Sequence, residues 1–204
     1  IYEDNNIIVV NKPSGLLSIS TEKETEKTLY KYISDYVKKS NKNAKIFVVH
    51  RLDKDTSGIV IFSKNQDFKN KLQQNWNDEV IRNYYAVVEG ILEKKSGTIK
   101  SYLKENSFHK TYSSNKGELA ITNYEVIKTN DLYSLLKVNI KTGKKNQIRV
   151  HLSDINHPIV GDKKYGSKIR AKRLMLCAYN VEFKNNSKYK FEIPYPEEFK
   201  KKIV

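Results

Sequence analysis

The chain has 204 residues, 38% of them hydrophobic and 30% charged, and 38 Lys and Arg against 23 Asp and Glu give a net charge of +15. This composition excludes disorder and collagen, and no apolar run reaches the ~20 residues of a membrane-spanning helix. The length predicts one domain or two closely joined halves. The positive charge favours a polyanionic partner, first of all nucleic acid, because Lys and Arg displace counterions from phosphates. The alternative is a Lys-rich solubilising surface.

The chain has one cysteine, Cys177, which excludes an internal disulfide and any zinc site with two or more thiolates. No secretion signal is visible, so we expect a cytoplasmic protein. The chain begins at Ile1 rather than Met, so we expect a trimmed sequence, and the presence of an upstream domain stays an open question. A monomer is the default expectation.

Apolar spacing predicts the elements in chain order. They are a strand at 7–10 closed by a turn at 11–15, a helix at 26–39 capped by Thr25 or Thr28, strands at 46–49 and 59–62, a helix carrying Phe68, Leu72 and Trp76, strands at 84–88, 97–103, 119–127 and 133–140 with a turn at 115–117, a helix at 147–155, and strands at 174–183 and 189–193. Pro194 and Pro196 are expected to prevent regular structure in the residues after them. Runs of strands with a few helices between them indicate a mixed α/β or α+β domain.

The polar segment from His50 to Gly58 lies between two apolar strands, where catalytic groups are often found. It contains two carboxylates, a histidine, Arg51, and Thr and Ser hydroxyls able to hold a loop through backbone hydrogen bonds. An ordinary hairpin turn with solvated charges is the simpler interpretation, and composition alone favours it.

The residues His50-Arg51-Leu52-Asp53 followed by Thr56-Ser57-Gly58 resemble the HRLDxxTSG signature of the RluA-type pseudouridine synthases. Further segments resemble motifs of this family in the same order: Lys12-Pro13-Ser14-Gly15 (KPxG), Arg82 to Ala86 (KxYxA), Ala120 to Tyr124 (AxTxY), Thr142 to His151 (TGRxHQIRxH), and His157 to Gly166 (HPxxGDxxYG). The resemblance runs from residue 11 to about 178. It implies a pseudouridine synthase catalytic domain over residues 1–204, with a mostly antiparallel mixed sheet flanked by helices, and leaves an S4-type RNA-binding domain upstream of residue 1 open.

The sequence departs from the family's pattern at three further positions besides Arg82, which replaces the commoner Lys. Lys144 stands where Arg is common, Asn146 where His is common, and Cys177 where the family has His. None of these positions is a catalytic residue implied by the resemblance. They affect the expected RNA target and local packing rather than the reaction.

The resemblance implies that the chain converts uridine to pseudouridine in RNA, with Asp53, Tyr84 and Arg149 as catalytic residues. Asp53 either attacks C1′ or removes the C2′ proton, and the sequence leaves both roles open. Burial beneath a flipped base raises the pKa of a carboxylate, so we expect Arg149 to form an ion pair with Asp53. Tyr84 is expected to stack on the uracil, and its hydroxyl to assist loss of the C5 proton.

The expected RNA-binding residues are Arg51, His50, Thr56, Lys12, Lys144 and Lys145. Arg51 is expected to fill the space left by the flipped base, and the lysines to contact phosphates. The isomerisation requires no cofactor and no metal. The histidines His50, His151 and His157 are expected to hydrogen-bond to backbone in the pocket walls.

The expected substrate is 23S ribosomal RNA, with transfer RNA second. One alternative is a catalytically silent RNA-binding module of the same fold. Another is a carboxylate- and Mg²⁺-dependent nuclease or phosphatase, which is disfavoured because the acidic residues are not clustered at metal-ligand spacing.

Overall fold

A computed structural model describes residues 1–185 and 187–204. The strands are β1 (Tyr2–Glu3), β2 (Ile7–Lys12), β3 (Phe47–Val48), β4 (Ser57–Ser63), β5 (Ile81–Glu89), β6 (Ser96–Glu105), β7 (Thr111–Ser114), β8 (Glu118–Thr129), β9 (Tyr133–Ile140), β10 (Leu176–Asn185) and β11 (Ser187–Glu192). The α-helices are α1 (Leu29–Ser40), α2 (Gln66–Gln74), α3 (Trp76–Glu79), α4 (Gln147–Asp154) and α5 (Glu197–Ile203), with a 3₁₀ turn at Lys163–Tyr165. No helix among the described residues is long and apolar enough to cross a membrane.

All described strands join one sheet, in the order β1-β2-β4-β10-β5-β9-β8-β6-β7, with β3 paired to β4 and β11 to β10. Every strand pair is antiparallel except β4 and β10, where Ser57 and Gly58 lie beside Cys177 and Ala178 in parallel register. The mixed, mostly antiparallel sheet expected from the sequence is therefore confirmed.

Both faces of the sheet are covered around β4, which has no exposed residue. Because successive side chains of a strand point to opposite faces, Val60 and Phe62 enter one hydrophobic cluster and Ile59 and Ile61 enter another. The first cluster includes apolar residues of α1 and the second includes Leu72 of α2. β4 is thus a rigid central strand, and the segment immediately before it is anchored where it joins this strand.

Helix α1 begins later than the apolar spacing indicated. Thr28 is its N-cap, with Oγ1 accepting from the Lys31 N–H at 3.2 Å, so Thr28 rather than Thr25 starts the helix. The single helix expected around Phe68, Leu72 and Trp76 is instead two helices. Asn75, with φ −116° and ψ 25°, leaves helical geometry between α2 and α3.

Four elements were not predicted from the sequence: β1, β7, α5 and the 3₁₀ turn. The expectation that Pro194 and Pro196 prevent regular structure after them was wrong, because Pro196 is the N-cap of α5. Phe199 and Ile203 lie four residues apart and are both buried, and acidic residues in the first turn and basic residues in the last favour this helix. The turn at 115–117 and strand β9 are confirmed.

Gly58 lies opposite Ala178 in the parallel pairing of β4 with β10 and has φ +116°. A Cβ there would overlap the backbone carbonyl of Ala178. Gly166 also has positive φ (+94°), but a Cβ there meets nothing within 4 Å. We expect Gly166→Ala to cost about 1–2 kcal/mol of unfolding free energy for its backbone conformation alone. Gly58→Ala should cost at least ~2 kcal/mol more, because backbone overlap is not relieved by a rotamer change. Urea unfolding of the two variants measures the difference, and equal losses would contradict the close approach.

Candidate active site

The segment from His50 to Gly58 connects β3 to β4, two strands that pair with each other. A turn within it is closed by the Thr56 N–H, which donates to the Asp53 carbonyl at 3.1 Å. Thr56 is buried, while the side chain of Asp53 is 33% exposed. The turn therefore fixes the Asp53 backbone and leaves its carboxylate open to a ligand.

The buried ammonium of Lys12 links this turn to the segment after β2 through hydrogen bonds to backbone carbonyls. Its Nζ donates to the carbonyls of Pro13 (3.0 Å), Leu16 (2.7 Å) and Lys54 (2.9 Å). Lys12 is fully buried, and this burial lowers its pKa to about 8. The expectation that Lys12 contacts phosphate was wrong, because all three of its protons are donated to carbonyl oxygens inside the protein.

The residues after Lys12 complete the same support. The Ser18 hydroxyl donates to the Leu52 carbonyl at 2.7 Å and accepts from the Leu52 N–H at 3.1 Å. The Gly15 N–H donates to the Lys54 carbonyl at 2.9 Å, and the Ser14 hydroxyl to the Asp55 carbonyl at 2.6 Å. The segment that resembles the KPxG motif therefore positions the backbone after Asp53, and Ser18 positions the backbone before it.

Two clefts, of about 980 and 930 Å³, meet at Asp53. The first contains Tyr84 on its wall, and cationic residues outnumber acidic ones in the lining of the second. Both clefts share the residues Asp53, Lys54, Lys145, Asn146 and Arg149. Asp53 and Arg149 thus lie at the junction and line both clefts.

Arg149 of α4 lies between two carboxylates. Its Nε and Nη2 donate to the two carboxylate oxygens of Asp162, both at 2.7 Å, and its Nη1 lies 3.9 Å from Oδ2 of Asp53. The ion pair expected between Arg149 and Asp53 is confirmed at this longer distance. The hydrogen-bonded partner is Asp162, whose side chain is fully buried. Sequence analysis missed this role, and the only signal for it was Asp162's place in the motif after Pro158.

Two further side chains hold the Arg149 guanidinium in place. Its Nη1 donates to Oδ1 of Asn146 at 3.2 Å, and the Tyr165 ring lies 5.0 Å from its central carbon. The Asn146 amide in turn donates to the Tyr165 hydroxyl at 3.0 Å. Asn146 has φ +53°, a backbone conformation in which both Asn and His are enriched, so Asn fits where the family commonly has His.

Burial raises the pKa of Asp53, and the negative charge of Asp55 raises it further. The positive charges of Arg149, Lys12 and Lys145 oppose this rise, with Arg149 the strongest. The effect of desolvation on the pKa exceeds that of the positive charges, partly because Asp162 already neutralises much of the Arg149 charge. Asp53 is therefore a carboxylate that gains a proton more readily than an ordinary aspartate.

Tyr84 lies on β5, in the middle of the sheet, where it pairs with Val138 of β9 and Ala178 of β10. It is buried, lines the first cleft, and its hydroxyl pKa is raised to about 12 by desolvation. The hydroxyl is thus protonated at neutral pH and available as a proton donor. Asp53 and Tyr84, which are distant in sequence, line the same cleft.

The histidines are structural in this geometry. The Nε2 of His50 accepts from the Ile61 N–H at 3.1 Å, the ring stacks on Trp76, and burial lowers its pKa to about 3. His157 bonds to the Glu89 carbonyl, whereas His151 bonds to the Thr122 and Ser101 hydroxyls rather than to backbone. Among the described residues, no group of three His, Cys, Asp or Glu side chains is arranged to hold a metal ion.

A profile of the family described as RNA pseudouridylate synthase matches residues 6–154. The chain belongs to this family. It is 36% identical to the ribosomal large subunit pseudouridine synthase D of Borreliella burgdorferi, over 98% of this chain and 65% of that protein. It is also 35% identical to an uncharacterized RNA pseudouridine synthase of Helicobacter pylori, over 98% of this chain and 75% of that protein. The chain thus spans less than two thirds of the Borreliella relative.

Solved structures of family proteins share the fold. The human RNA pseudouridylate synthase domain containing 4 superposes with a TM-score of 0.82, covering 97% of this chain and 88% of that chain at 21% identity. The human domain containing 1 protein gives 0.79 at 22% identity, covering 95% of this chain and 82% of that chain. These matches place the sheet described above within the family's architecture.

The surface cationic residues expected to bind RNA differ in whether they form ion pairs with acidic side chains. Lys144 and Lys145 form surface ion pairs with Glu118 and Glu105, at 2.5 and 2.6 Å. Arg51 is exposed, lines the first cleft, and has no ion pair among the described residues. Sequence analysis did not identify Lys163, Lys164, Lys172 and Arg173, which line the second cleft, because one lysine in a chain so rich in lysine carries little signal.

The opposing charges around Asp53 predict two opposite pH shifts. Where an ionised Asp53 is required, the reaction rate falls as pH drops through its pKa, and this acidic limb lies above the ordinary value of about 3.9. Lys145→Met removes a charge that lowers the pKa, so the limb should move to higher pH. Asp55→Asn removes a charge that raises it, so the limb should move to lower pH.

The measurement is kcat/KM against pH for both variants, since this ratio reports the free enzyme. Shifts of the same sign in the two variants, or a limb at the ordinary aspartate value in the unaltered protein, would contradict the electrostatic assignment.

Proposed function

We propose that this protein isomerises uridine to pseudouridine in structured RNA, with Asp53 acting on the ribose of a flipped-out nucleotide. The observation that carries the proposal is the placement of the Asp53 carboxylate, partly exposed, beside Arg149 and in the cleft lined by Tyr84. Membership of the RNA pseudouridylate synthase family supports it. Large-subunit ribosomal RNA is the first candidate substrate because of the Borreliella relative's name, and transfer RNA is the second.

The reaction breaks the N1–C1′ bond and joins C5 to C1′, and the C5 proton is replaced by one at N1. No atom is added and no electron is transferred, so the residues must supply a carboxylate, charge stabilisation and proton transfer. Asp53 either attacks C1′ or removes the C2′ proton to give a glycal. Its raised pKa makes the ionised carboxylate both a stronger base and a stronger nucleophile, so it supports either role.

Access to a base within folded RNA costs roughly a few kcal/mol of unstacking. Arg51 lines the first cleft and its exposed side chain is not engaged in an ion pair among the described residues. It is therefore suited to fill the space that the flipped base leaves. Lys144 and Lys145 are suited to contact phosphates, since exposed ion pairs such as theirs are worth only ~0–1 kcal/mol and exchange partners readily.

The first test is release of tritium from RNA transcripts carrying 5-tritiated uridine, because joining C5 to C1′ expels the hydrogen from C5. Large-subunit ribosomal RNA and transfer RNA transcripts are compared, in EDTA and without added cofactor. We expect Asp53→Asn to lose activity by roughly a thousandfold or more. Asp55→Asn is the matched control: the same chemical change, two residues away, should leave the rate within a few-fold at neutral pH.

Three outcomes would overturn parts of the proposal. Equal loss in both Asn variants would show damage to the loop rather than chemistry at Asp53. Inhibition by EDTA would favour the metal-dependent alternative. Tight, salt-dependent RNA binding with no release from either transcript would favour the catalytically silent binding module.

Two substitutions of Tyr84 distinguish a role in stacking from a role in proton transfer. If its hydroxyl takes part in proton transfer at C5, Tyr84→Phe should lower the single-turnover rate by roughly 100-fold while RNA affinity stays within about twofold. Tyr84→Leu, which also removes the aromatic ring, should weaken binding as well. Full activity of Tyr84→Phe would assign stacking as the only role of this side chain. Rates are measured at saturating enzyme on the tritiated transcript.

A further inference from the structure

The tip of the β6–β7 hairpin, residues 106–110, presents a large aromatic side chain to solvent. Phe108 is 85% exposed, more than any other large hydrophobic residue outside the C-terminal Val204. Aromatic side chains ordinarily contribute large buried areas, so one left out on a loop gives up that contribution to stability. The neighbouring Lys104 and Lys110 are also exposed, and the partly exposed Tyr102 and Tyr112 lie on the two strands of the same hairpin, so the hairpin presents aromatic side chains among cations.

The backbone of this tip is well ordered by its own hydrogen bonds. The Oδ1 of Asn106 accepts from the N–H groups of Phe108 (3.0 Å) and Lys110 (2.9 Å). The Asn106 N–H donates to the Lys110 carbonyl at 3.0 Å, and His109, with φ +56°, turns the chain back into β7. The backbone that carries Phe108 is therefore ordered in advance, and little backbone entropy is lost when a ligand contacts this residue.

Two lysines of the second cleft tie the hairpin to the active site. The Nζ of Lys164 donates to the His109 carbonyl at 3.0 Å, and the Nζ of Lys145 donates to Glu105 at the end of β6 at 2.6 Å. Lys145 and Lys164 both line the second cleft, and Lys145 lines the first cleft as well. The exposed ring is thus continuous with the cationic surface that leads to Asp53.

We propose, on the basis of the function proposed above, that Phe108 is a stacking platform for an unpaired base of the RNA near the target uridine. Cationic grooves with aromatic side chains on which bases stack are how proteins hold single-stranded nucleic acid without reading its sequence. The ring carries no hydrogen-bonding atom, so it stacks on any base and contributes affinity and position. A protein partner is disfavoured because lysine is depleted at protein interfaces.

The test is a binding measurement that does not depend on catalysis. The probe is fluorescein-labelled dodecauridylate, titrated by anisotropy with the full chain. Phe108→Ala should weaken binding roughly 5- to 150-fold, the range for one stacked base, whereas Phe108→Trp should bind as tightly as Phe or tighter. Phe108→Leu keeps an apolar side chain without a π-face, and should resemble Ala. Leu132→Ala, at an exposed apolar residue outside both clefts and the hairpin, is the control and should bind like the unaltered chain.

A second arm uses the same oligomer with abasic riboses in place of its nucleosides. A stacking contact exists only when both ring and base are present, so removing the bases should cost Phe108→Ala less affinity than it costs the unaltered chain. The slope of log Kd against log salt should not change in Phe108→Ala, since no charge is removed. In the tritium-release assay, this variant should raise KM with little effect on kcat.

Wild-type affinity in Phe108→Ala, or equal affinity of the Leu and Phe forms, would overturn the platform. The platform would also be overturned if removing the bases weakened binding equally in the unaltered chain and in Phe108→Ala. These outcomes are separate from failure of the proposed function, which is scored by tritium release and the Asp53→Asn variant rather than by binding.

Discussion

The buried ion pair between Arg149 and Asp162 is the interaction on which the site depends. Its two hydrogen bonds join α4 to the segment after Pro158 and fix the guanidinium beside Asp53. Removing one partner of such a pair leaves an uncompensated buried charge, at a cost of about 3–5 kcal/mol, so the two residues act as a unit. A guanidinium already neutralised by one carboxylate attracts a second less strongly. The arrangement therefore keeps a positive charge beside Asp53 while the pKa of its carboxylate stays raised.

Lys12 is a second buried cation of the site. It fixes the backbone of the loop that carries Asp53, whereas Arg149 lies beside the Asp53 side chain. Its three protons tie the residues after β2 to the turn that carries Asp53. A neutral amine can donate only two protons, so loss of the charge near the lowered pKa of about 8 leaves one carbonyl without this donor. The positions of Asp53 and of its supporting loop thus depend on two buried cations.

Sequence patterns predicted the parts of this molecule that follow from local periodicity or from a long motif. Helix α4, β9 and the buried β4 have clear apolar spacing, and the loop carrying Asp53 has a distinctive motif. The roles of Lys12 and Asp162 were not predictable in this way, because each is defined by partners distant in sequence. Short elements such as β7 pack too few apolar residues to give a periodic signal.

Net charge is similarly a poor guide to which cations meet the RNA. Of the three lysines expected at phosphates, Lys12 is buried and the other two are paired with glutamates at the surface. A buried ammonium costs too much to expose, whereas a phosphate replaces a solvated glutamate at little cost because such pairs are worth only ~0–1 kcal/mol. Burial therefore divides the excess positive charge into two groups: internal cations that support the loop carrying Asp53, and cleft cations, Lys145 and Lys164 among them, that line the surface proposed to bind RNA.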